Sequence, residues 1–267
     1  MSGILPVRQM EKPWGKDDLP APFTTVPGRR IGEIWFEPPP ELPQLLVKYI
    51  FTSEALSVQV HPSEAQRPGH GKEECWLIVD AEPGAKLGIG FGAPLDADAM
   101  RKAAIDGSIE HLLTWHSVAP GDFFYVPANT VHAIGAGVSL IEVQQNSDVT
   151  YRLYDYGRPR ELHLAEGMAV ARGEPYDRAR WHAAVPREGT VTLCDGPWFR
   201  LDQVAGPPPE TVAARYGDAP LLVIPREGVF HVNGAPVRAG QCAVADDLPG
   251  VDFPRYGVAL IAQPCAI

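Results

Sequence analysis

Prolines and glycines interrupt this chain at short intervals along its whole length. The 267 residues include 28 Pro and 26 Gly, spread along the chain rather than concentrated, and such punctuation is typical of turns between short elements. Between them stand apolar and β-branched runs such as RIGEIWF, LLVKYIF and SLIEVQQ, which predict strands. The 45% hydrophobic content is enough for a sizeable core in one large domain or two small ones. We therefore expect a mainly β fold with a few short helices.

Four potential metal ligands stand in or beside these strand-like runs. LSVQVHP predicts a strand, and because strand side chains alternate faces, Gln59 and His61 share one face. The run ECWLIV places Glu74 and Cys75 on opposite faces, so if Glu74 points inward, Cys75 is rejected as a ligand. In GDFFYVPANTVH, a strand-turn-strand spacing brings His132 to the start of a return strand. A single His or Glu is more often a structural or solvated residue, and only the combination indicates a shared ion.

These motifs carry a resemblance to a known family. The spacing G-x5-P-x-N-x2-H resembles the second motif of the cupin barrel, with Asn129 where many cupins have Gly. More narrowly, LSVQVHP, GKEECW, GDFFYVPANTVHAI and QQNSDVTYRLYDYGR resemble the short bacterial form of class I mannose-6-phosphate isomerase. The similarity runs over about residues 14–172 and fades beyond them. GKEECW departs from the pattern at Glu73, where relatives usually have Thr, and we expect that side chain to point away from the metal.

The resemblance implies a cupin (jelly-roll) barrel and a metal-dependent aldose-ketose isomerase that interconverts mannose 6-phosphate and fructose 6-phosphate through an enediol. It also implies one zinc ion per chain, held by residues in the positions of the family's ligands: Gln59, His61, Glu74 and His132. From the residues alone, two imidazoles, a carboxylate and an amide oxygen suit Zn²⁺, Mn²⁺, Co²⁺ or Fe²⁺, and without thiolates they do not select sharply.

The resemblance also implies a catalytic arginine. Arg152, in SDVTYRLYDYGR, matches the arginine that the family treats as catalytic. Its planar, permanently charged fork suits an enediolate oxygen or a phosphate. Considered alone, Arg152 would sooner be interpreted as the partner of Asp148 or Asp155 in a salt bridge.

Three further side chains are expected at the site. Lys72 lies two residues before Glu74, on the same strand face if the extension continues, where it could contact phosphate or relay a proton. Ser57 lies two residues before Gln59, so its hydroxyl could bind substrate. Glu142, on the strand after His132, is the carboxylate that we nominate as a possible base.

The chain divides into two predicted lobes. Residues 1–172 are expected to form the metal-binding catalytic lobe, with a helical insertion in PLDADAMRKAAIDGSIEHLLTW that begins at Asp96 as N-cap. Residues 1–30 are rich in Pro and Gly and are expected to wrap over the barrel rather than add to it. Residues 190–267 are expected to form a smaller cupin-like lobe without metal ligands, with a hairpin at Asn233-Gly234.

Charge and composition argue against several classes of function. The formal charge of −10 with no basic stripe argues against binding to nucleic acid or to an anionic membrane, so an anionic phosphosugar would need a local cluster of cations. No apolar run matches a signal peptide or a membrane span, from which we expect a cytoplasmic protein. The four cysteines lack any C-x-x-C and are expected to be reduced thiols. The oligomeric state cannot be read from the sequence.

Two other functions stay open on the sequence. A cupin of this kind could be an Fe²⁺-dependent oxygenase, because two His and one carboxylate can also serve iron. It could also be a non-catalytic sensor of sugar phosphates that has kept the pocket. Arg152 and Lys72 favour the isomerase over the oxygenase, because an anionic substrate needs cations near the metal.

Overall fold

Residues 3–265 are described by the computed structural model, and they are mainly β. The strands are β1 (Val7–Lys16), β2 (Ile31–Phe36), β3 (Leu45–Phe51), β4 (Val58–Val60), β5 (Glu74–Ala81), β6 (Lys86–Phe91), β7 (Leu113–Ser117), β8 (Asp122–Val126), β9 (His132–Ile134), β10 (Val138–Gln145), β11 (Tyr151–Tyr154), β12 (His182–Ala184), β13 (Val191–Asp195), β14 (Phe199–Ala205), β15 (Leu221–Glu227), β16 (Val229–Val232), β17 (Ala235–Arg238), β18 (Ala243–Ala245), β19 (Val251–Asp252) and β20 (Val258–Pro264). The helices are α1 (Ala97–Asp106), α2 (Ile109–Leu112), α3 (Leu164–Val170), α4 (Arg178–Trp181) and α5 (Glu210–Tyr216). None of the helices in this part of the chain is both long and apolar enough to cross a membrane.

Two antiparallel sheets face each other in the first part of the chain. A seven-stranded sheet has the order β1-β2-β3-β10-β5-β8-β12, and a five-stranded sheet has the order β11-β4-β9-β6-β7. Trp76, Phe124 and Leu140 of the larger sheet pack with Leu87 and Ile134 of the smaller sheet in one buried cluster. This arrangement confirms the expected mainly β, cupin-type fold.

Outer layers cover both sheets. Helix α1 packs Met100 and Ala103 onto Val58 and Val60, on the outer face of the five-stranded sheet. The opposite face of the seven-stranded sheet is buried against the C-terminal part of the chain. Strand β3 is consequently buried at all seven positions, which explains why its sequence is a continuous apolar run rather than an alternating one.

The N-terminal segment does not simply wrap over the barrel, and that expectation was wrong. Strand β1 pairs antiparallel with β2 and forms the edge of the seven-stranded sheet. Pro13 within β1 is tolerated because an edge strand needs ladder hydrogen bonds on only one side. The Pro and Gly content of this segment concealed the pairing, which depends on β2 and not on the segment's own composition.

The C-terminal part forms two further antiparallel sheets, in the orders β13-β14-β20-β15-β18 and β17-β16-β19. The predicted hairpin joins β16 to β17, and its turn residues Asn233 and Gly234 have φ angles of 49° and 79°, as a type I′ turn requires. Phe199 and Leu222 from these sheets share one buried cluster with Phe51 and Phe123. The predicted division into residues 1–172 and 190–267 therefore stays a prediction, and its outermost residues, 1–2 and 266–267, lie outside the described range.

The predicted helical insertion is present. Helix α1 begins after Asp96, whose side chain accepts a hydrogen bond from the backbone N–H of Ala99. The helix ends at Gly107 in the left-handed conformation, with φ of 82°. Between the two predicted lobes, strand β12 pairs with β8 and extends the seven-stranded sheet.

Candidate metal centre and its cavity

A cavity of about 470 Å³ opens beside the inner face of the seven-stranded sheet. Side chains of β1, β2, β3, β5 and β10 line one wall, and side chains around β4 and β11 line the other. Gln59, Lys72 and Trp76 belong to this lining. Each of them also contacts one or more members of a buried His-Glu-His cluster.

The buried cluster consists of His61, Glu74 and His132, whose candidate ligand atoms all lie within 4.8 Å of one another. Nε2 of His61 lies 3.5 Å from Oε2 of Glu74, and Nε2 of His132 lies 3.4 Å from Oε1 of the same carboxylate. No other such cluster of His, Cys, Asp and Glu is found within residues 3–265. The structure thus brings together three of the four residues predicted from the sequence as ligands.

Hydrogen bonds orient both imidazoles toward the centre of the cluster. Nδ1 of His61 lies 2.9 Å from the Val149 carbonyl oxygen, and Nδ1 of His132 lies 2.9 Å from the Thr130 carbonyl oxygen. A carbonyl oxygen only accepts, so each Nδ1 carries the proton and each Nε2 presents a lone pair. Supporting bonds of this kind are typical of histidines that bind metal ions.

Burial sets the charge of these side chains. It lowers the pKa of His132 to about 4 and the pKa of His61 well below its ordinary value, so both rings are neutral near pH 7. Burial also raises the pKa of Glu74 to about 7, against the opposing charge of Lys72. Oε1 of Glu74 has no hydrogen-bond partner within the described residues. A buried acceptor without a partner next to two inward lone pairs fits a divalent cation.

Gln59 reaches the same centre from β4. Its Nε2 lies 3.3 Å from Nε2 of His132, and its Oε1 accepts a hydrogen bond from Oγ of Ser57 at 3.1 Å. A half-turn of the amide would present the oxygen, which is the metal-binding atom, to the centre. Register pairing of Gln59 with His132 across β4 and β9 places the two side by side.

The turn before His132 shows why asparagine replaces glycine in the cupin motif. Asn129 has a φ of 72°, in the left-handed region that glycine adopts freely and asparagine tolerates. Its backbone N–H donates to the His61 carbonyl oxygen at 2.9 Å, and its side chain donates to Oε1 of Gln66. Asn129 therefore ties the turn carrying one imidazole to the strand end carrying the other.

Lys72 lies between the cluster and the cavity. Its ammonium is 2.8 Å from Oε2 of Glu74 and 3.2 Å from Nε2 of His61. Although burial alone would lower the pKa of Lys72, the carboxylates of Glu74 and Glu142 raise it. Lys72 is thus a protonated cation at the edge of the cluster.

Glu142 lines the cavity, and each of its carboxylate oxygens has a close polar neighbour. Oε1 accepts from Nε1 of Trp76 at 3.1 Å, and Oε2 lies 3.0 Å from Nζ of Lys48. Burial alone would raise the pKa of Glu142, but Lys48 and Lys72 outweigh it and lower the pKa to about 2. Glu142 is therefore an anion at all ordinary pH values.

Arg152 lines the cavity from β11 and forms no ion pair with any carboxylate in residues 3–265. Its NH1 donates to the Glu161 carbonyl oxygen at 3.2 Å. Asp155, a partner considered for it on sequence, instead binds Arg158 and Arg160 at 2.9 and 2.6 Å. Both arginines are half-buried, and Arg160 also lines the cavity. Arg152 is thus a cation at the cavity wall without a carboxylate partner among residues 3–265.

Several cavity residues were missed on sequence. Lys48 and Glu33 are buried and line the cavity, and Lys12 of β1 pairs with Glu33 at 3.2 Å. The lysine within the otherwise apolar run LLVKYIF was a signal for Lys48. Nothing in the N-terminal segment pointed to Lys12. Glu73 turns away from the cluster and accepts from the Tyr125 hydroxyl at 2.7 Å, as expected from strand alternation.

Several known proteins are similar to this chain. No family model matches the chain. The mannose-6-phosphate isomerase of Streptococcus mutans is 39% identical over 168 residues, which is 59% of this chain and 53% of that protein. ManA of Bacillus subtilis, also a mannose-6-phosphate isomerase, is 44% identical over 170 residues, covering 59% and 54%. Over the aligned segment the chain is thus similar to mannose-6-phosphate isomerases.

The aligned segment spans about half the length of these curated relatives. The whole fold is nevertheless shared with solved structures. The crystal structure of mannose 6-phosphate isomerase from Bacillus subtilis matches 98% of this chain and 100% of that chain with a TM-score of 0.76 at 23% identity. A zinc-bound mannose 6-phosphate isomerase matches 98% and 99% with a TM-score of 0.72 at 13% identity. At such low identity, the structural likeness establishes the fold alone, whereas the reaction depends on the residues of the site.

Proposed function

We propose that this chain is a metal-dependent isomerase that interconverts mannose 6-phosphate and fructose 6-phosphate through an enediol. The observation that supports it most is the juxtaposition of a His61, Glu74 and His132 cluster with a cavity into which Arg152 brings an unpaired positive charge. Mannose-6-phosphate isomerases are also the relatives by sequence.

The proposed ligands are His61, Glu74 and His132, with the Gln59 amide oxygen as the fourth. Two neutral imidazoles, one carboxylate and one amide suit zinc, and Mn²⁺ or Co²⁺ are alternatives. When bound, the ion would supply Lewis-acid polarisation of sugar oxygens. The single cluster found within residues 3–265 supports one ion per chain.

The substrate would be held by groups on both walls of the cavity. Arg152 offers a planar pair of donors to the phosphate or to an enediolate oxygen. Ser57, which lines the cavity next to Gln59, offers a hydroxyl to the sugar. Lys72 is protonated, and its ammonium can donate a proton or a hydrogen bond to an oxygen that becomes negative in the enediol.

Glu142 is retained as the nominated proton acceptor, although its surroundings weaken it as a base. A carboxylate with a pKa of about 2 has little affinity for a proton. Its fixed position favours a second use, which is to accept a hydrogen bond from a sugar hydroxyl. Near-normal turnover by Glu142→Gln would remove the base assignment.

A coupled assay of mannose 6-phosphate conversion to fructose 6-phosphate tests the proposal. We expect turnover by the protein as isolated, its loss after chelation, its recovery with zinc, and no turnover by His132→Ala. A folded protein that binds one metal ion but shows no turnover with any metal would overturn the isomerase. Stoichiometric binding of the phosphosugar in that case would point to a sensor, and substrate oxidation that needs O₂ and a cosubstrate would point to an oxygenase.

A further inference from the structure

Lys48 is a buried lysine in the middle of an apolar strand. All seven residues of β3 are buried, and the Lys48 side chain is only 6% exposed. It lines the cavity close to the candidate metal centre. Lysine is almost never buried unless it is paired, because removing its charge from water is costly.

Strand pairing holds the Lys48 ammonium among three groups. Register places Lys48 directly opposite Glu142 on β10 and opposite Trp35 on β2. Its Nζ lies 3.0 Å from Oε2 of Glu142, 2.6 Å from Oε1 of Gln144, and 4.6 Å from the centre of the Trp35 ring. Glu142 and Gln144 are two residues apart on β10, so both face the same side as Lys48. The ammonium therefore has little freedom to move.

The Glu142 carboxylate is held from both sides along the same row of strands. Register places Trp76 of β5 opposite Glu142 on the other flank, where Nε1 of Trp76 donates to Oε1. An ionised carboxylate can accept about four hydrogen bonds. Oε1 accepts one hydrogen bond from Trp76 and Oε2 is ion-paired with Lys48, so acceptor positions on both oxygens are available to a sugar hydroxyl in the cavity that Glu142 lines.

Stability alone does not account for this pair. The desolvation cost of a buried ion pair roughly offsets its attraction, and apolar residues of similar size are often as stable. The apolar neighbours of Lys48 on β3 show that this strand readily buries side chains without charge. A charged pair at the wall of a cavity is more useful as a fixed acceptor for a ligand.

We propose that Lys48 is a positioning residue, which acts through Glu142 by holding its carboxylate in one orientation against the substrate. This inference rests on the proposed isomerase function. Lys48 itself does not touch the substrate in this view, since its ammonium is already surrounded by Glu142, Gln144 and Trp35. Its loss should therefore lower kcat and leave substrate binding largely intact.

A double-mutant cycle tests the proposal. The zinc-restored full chain is compared as wild type, Lys48→Met, Glu142→Gln and the double variant, with kcat and KM for mannose 6-phosphate, metal content and thermal midpoint measured for each. We expect Lys48→Met to lower kcat by about 100-fold, as misplacing a reacting group can do, with KM changed by less than about threefold. The matched control is Lys102→Met, which removes an exposed lysine of α1 and should leave all four quantities unchanged.

The cycle also separates positioning from a role in folding. If Lys48 acts through Glu142, the double variant should have the same kcat as Glu142→Gln, because the carboxylate to be held is gone. The double variant removes both charges of the Lys48–Glu142 pair and leaves neither unpaired. Comparing its kcat with that of Glu142→Gln therefore tests the proposal even if Lys48→Met alone fails to fold. A further tenfold loss in the double variant, or a raised KM with unchanged kcat in Lys48→Met, would overturn the proposal. Absence of wild-type turnover would instead overturn the isomerase function, and with it this role.

Discussion

Oε1 of Glu74 lies 3.4 Å from Nε2 of His132, although the two residues come from strands in different sheets. Glu74 begins β5 of the seven-stranded sheet, and His132 begins β9 of the five-stranded sheet. The cluster therefore joins the two facing sheets at one point. A metal ion bound there would link the layers as well as provide a reactive centre.

Loss of either imidazole should remove the metal. His61→Ala and His132→Ala each delete an inward Nε2, so we expect affinity for Zn²⁺ to fall by at least about 100-fold, the upper end of what loss of a supporting contact costs. Metal per chain after dialysis, measured by atomic emission, checks this. His111→Ala removes an exposed histidine of α2 and should keep full occupancy. Retention of one zinc ion by His132→Ala would exclude it as a ligand.

Arginine at position 152 should not be replaceable by lysine. The guanidinium has no carboxylate partner within the described residues and faces the cavity with a planar fork, which an ammonium lacks. We expect Arg152→Ala to lower kcat/KM by about 100- to 1,000-fold, the usual cost of losing one charge-stabilising donor, and Arg152→Lys to recover only part of it. Steady-state kinetics at full metal occupancy measure this. Wild-type rates in Arg152→Lys would mean that only the charge matters.

His116 should make the fold sensitive to acid. Burial first, then the charge of Arg178, lowers the pKa of His116 below its ordinary value of 6.5, so the unfolded chain takes up a proton before the folded chain does. Stability is thus lost as the pH falls below that ordinary value. The His116 ring packs near the rings of Phe124 and Tyr176, so a phenylalanine ring should be accommodated in its place. Urea unfolding should show that His116→Phe loses less stability than wild type between about pH 7 and about pH 5, and equal losses would contradict the assignment.

The buried apolar cluster shared between the two predicted lobes should make the lobes unfold together. Phe199 is fully buried where the C-terminal sheets meet the seven-stranded sheet. We expect Phe199→Ala to cost about 3–5 kcal/mol of unfolding free energy. Val229→Ala, at a position that is 37% exposed, should stay within about 0.5 kcal/mol of wild type. Calorimetry should show one transition shifted as a whole, whereas two transitions with only one displaced would indicate independent lobes.

Local patterns in the sequence determined the parts of this protein that depend on near neighbours. Alternation along LSVQVHP and ECWLIV predicted that Gln59 faces the site and that Glu74 and Cys75 point to opposite sides. The cap at Asp96 and the hairpin at Asn233 were also predicted, because capping and turn geometry are set by a few adjacent residues. The ordered motifs of the site were enough to indicate a resemblance to mannose-6-phosphate isomerases, to which the chain is similar over 168–170 residues.

Only the tertiary structure decided which distant segments pair. Strand β1 became the edge of the larger sheet, and its Lys12 became part of the cavity wall, through pairing with β2. Arg152 was left without a carboxylate because Asp155 is taken by two other arginines. Lys48 meets Glu142 through the register between β3 and β10. Sequence fixes the face on which a strand residue lies, but its partner across the sheet depends on strand order and register, which the whole fold selects.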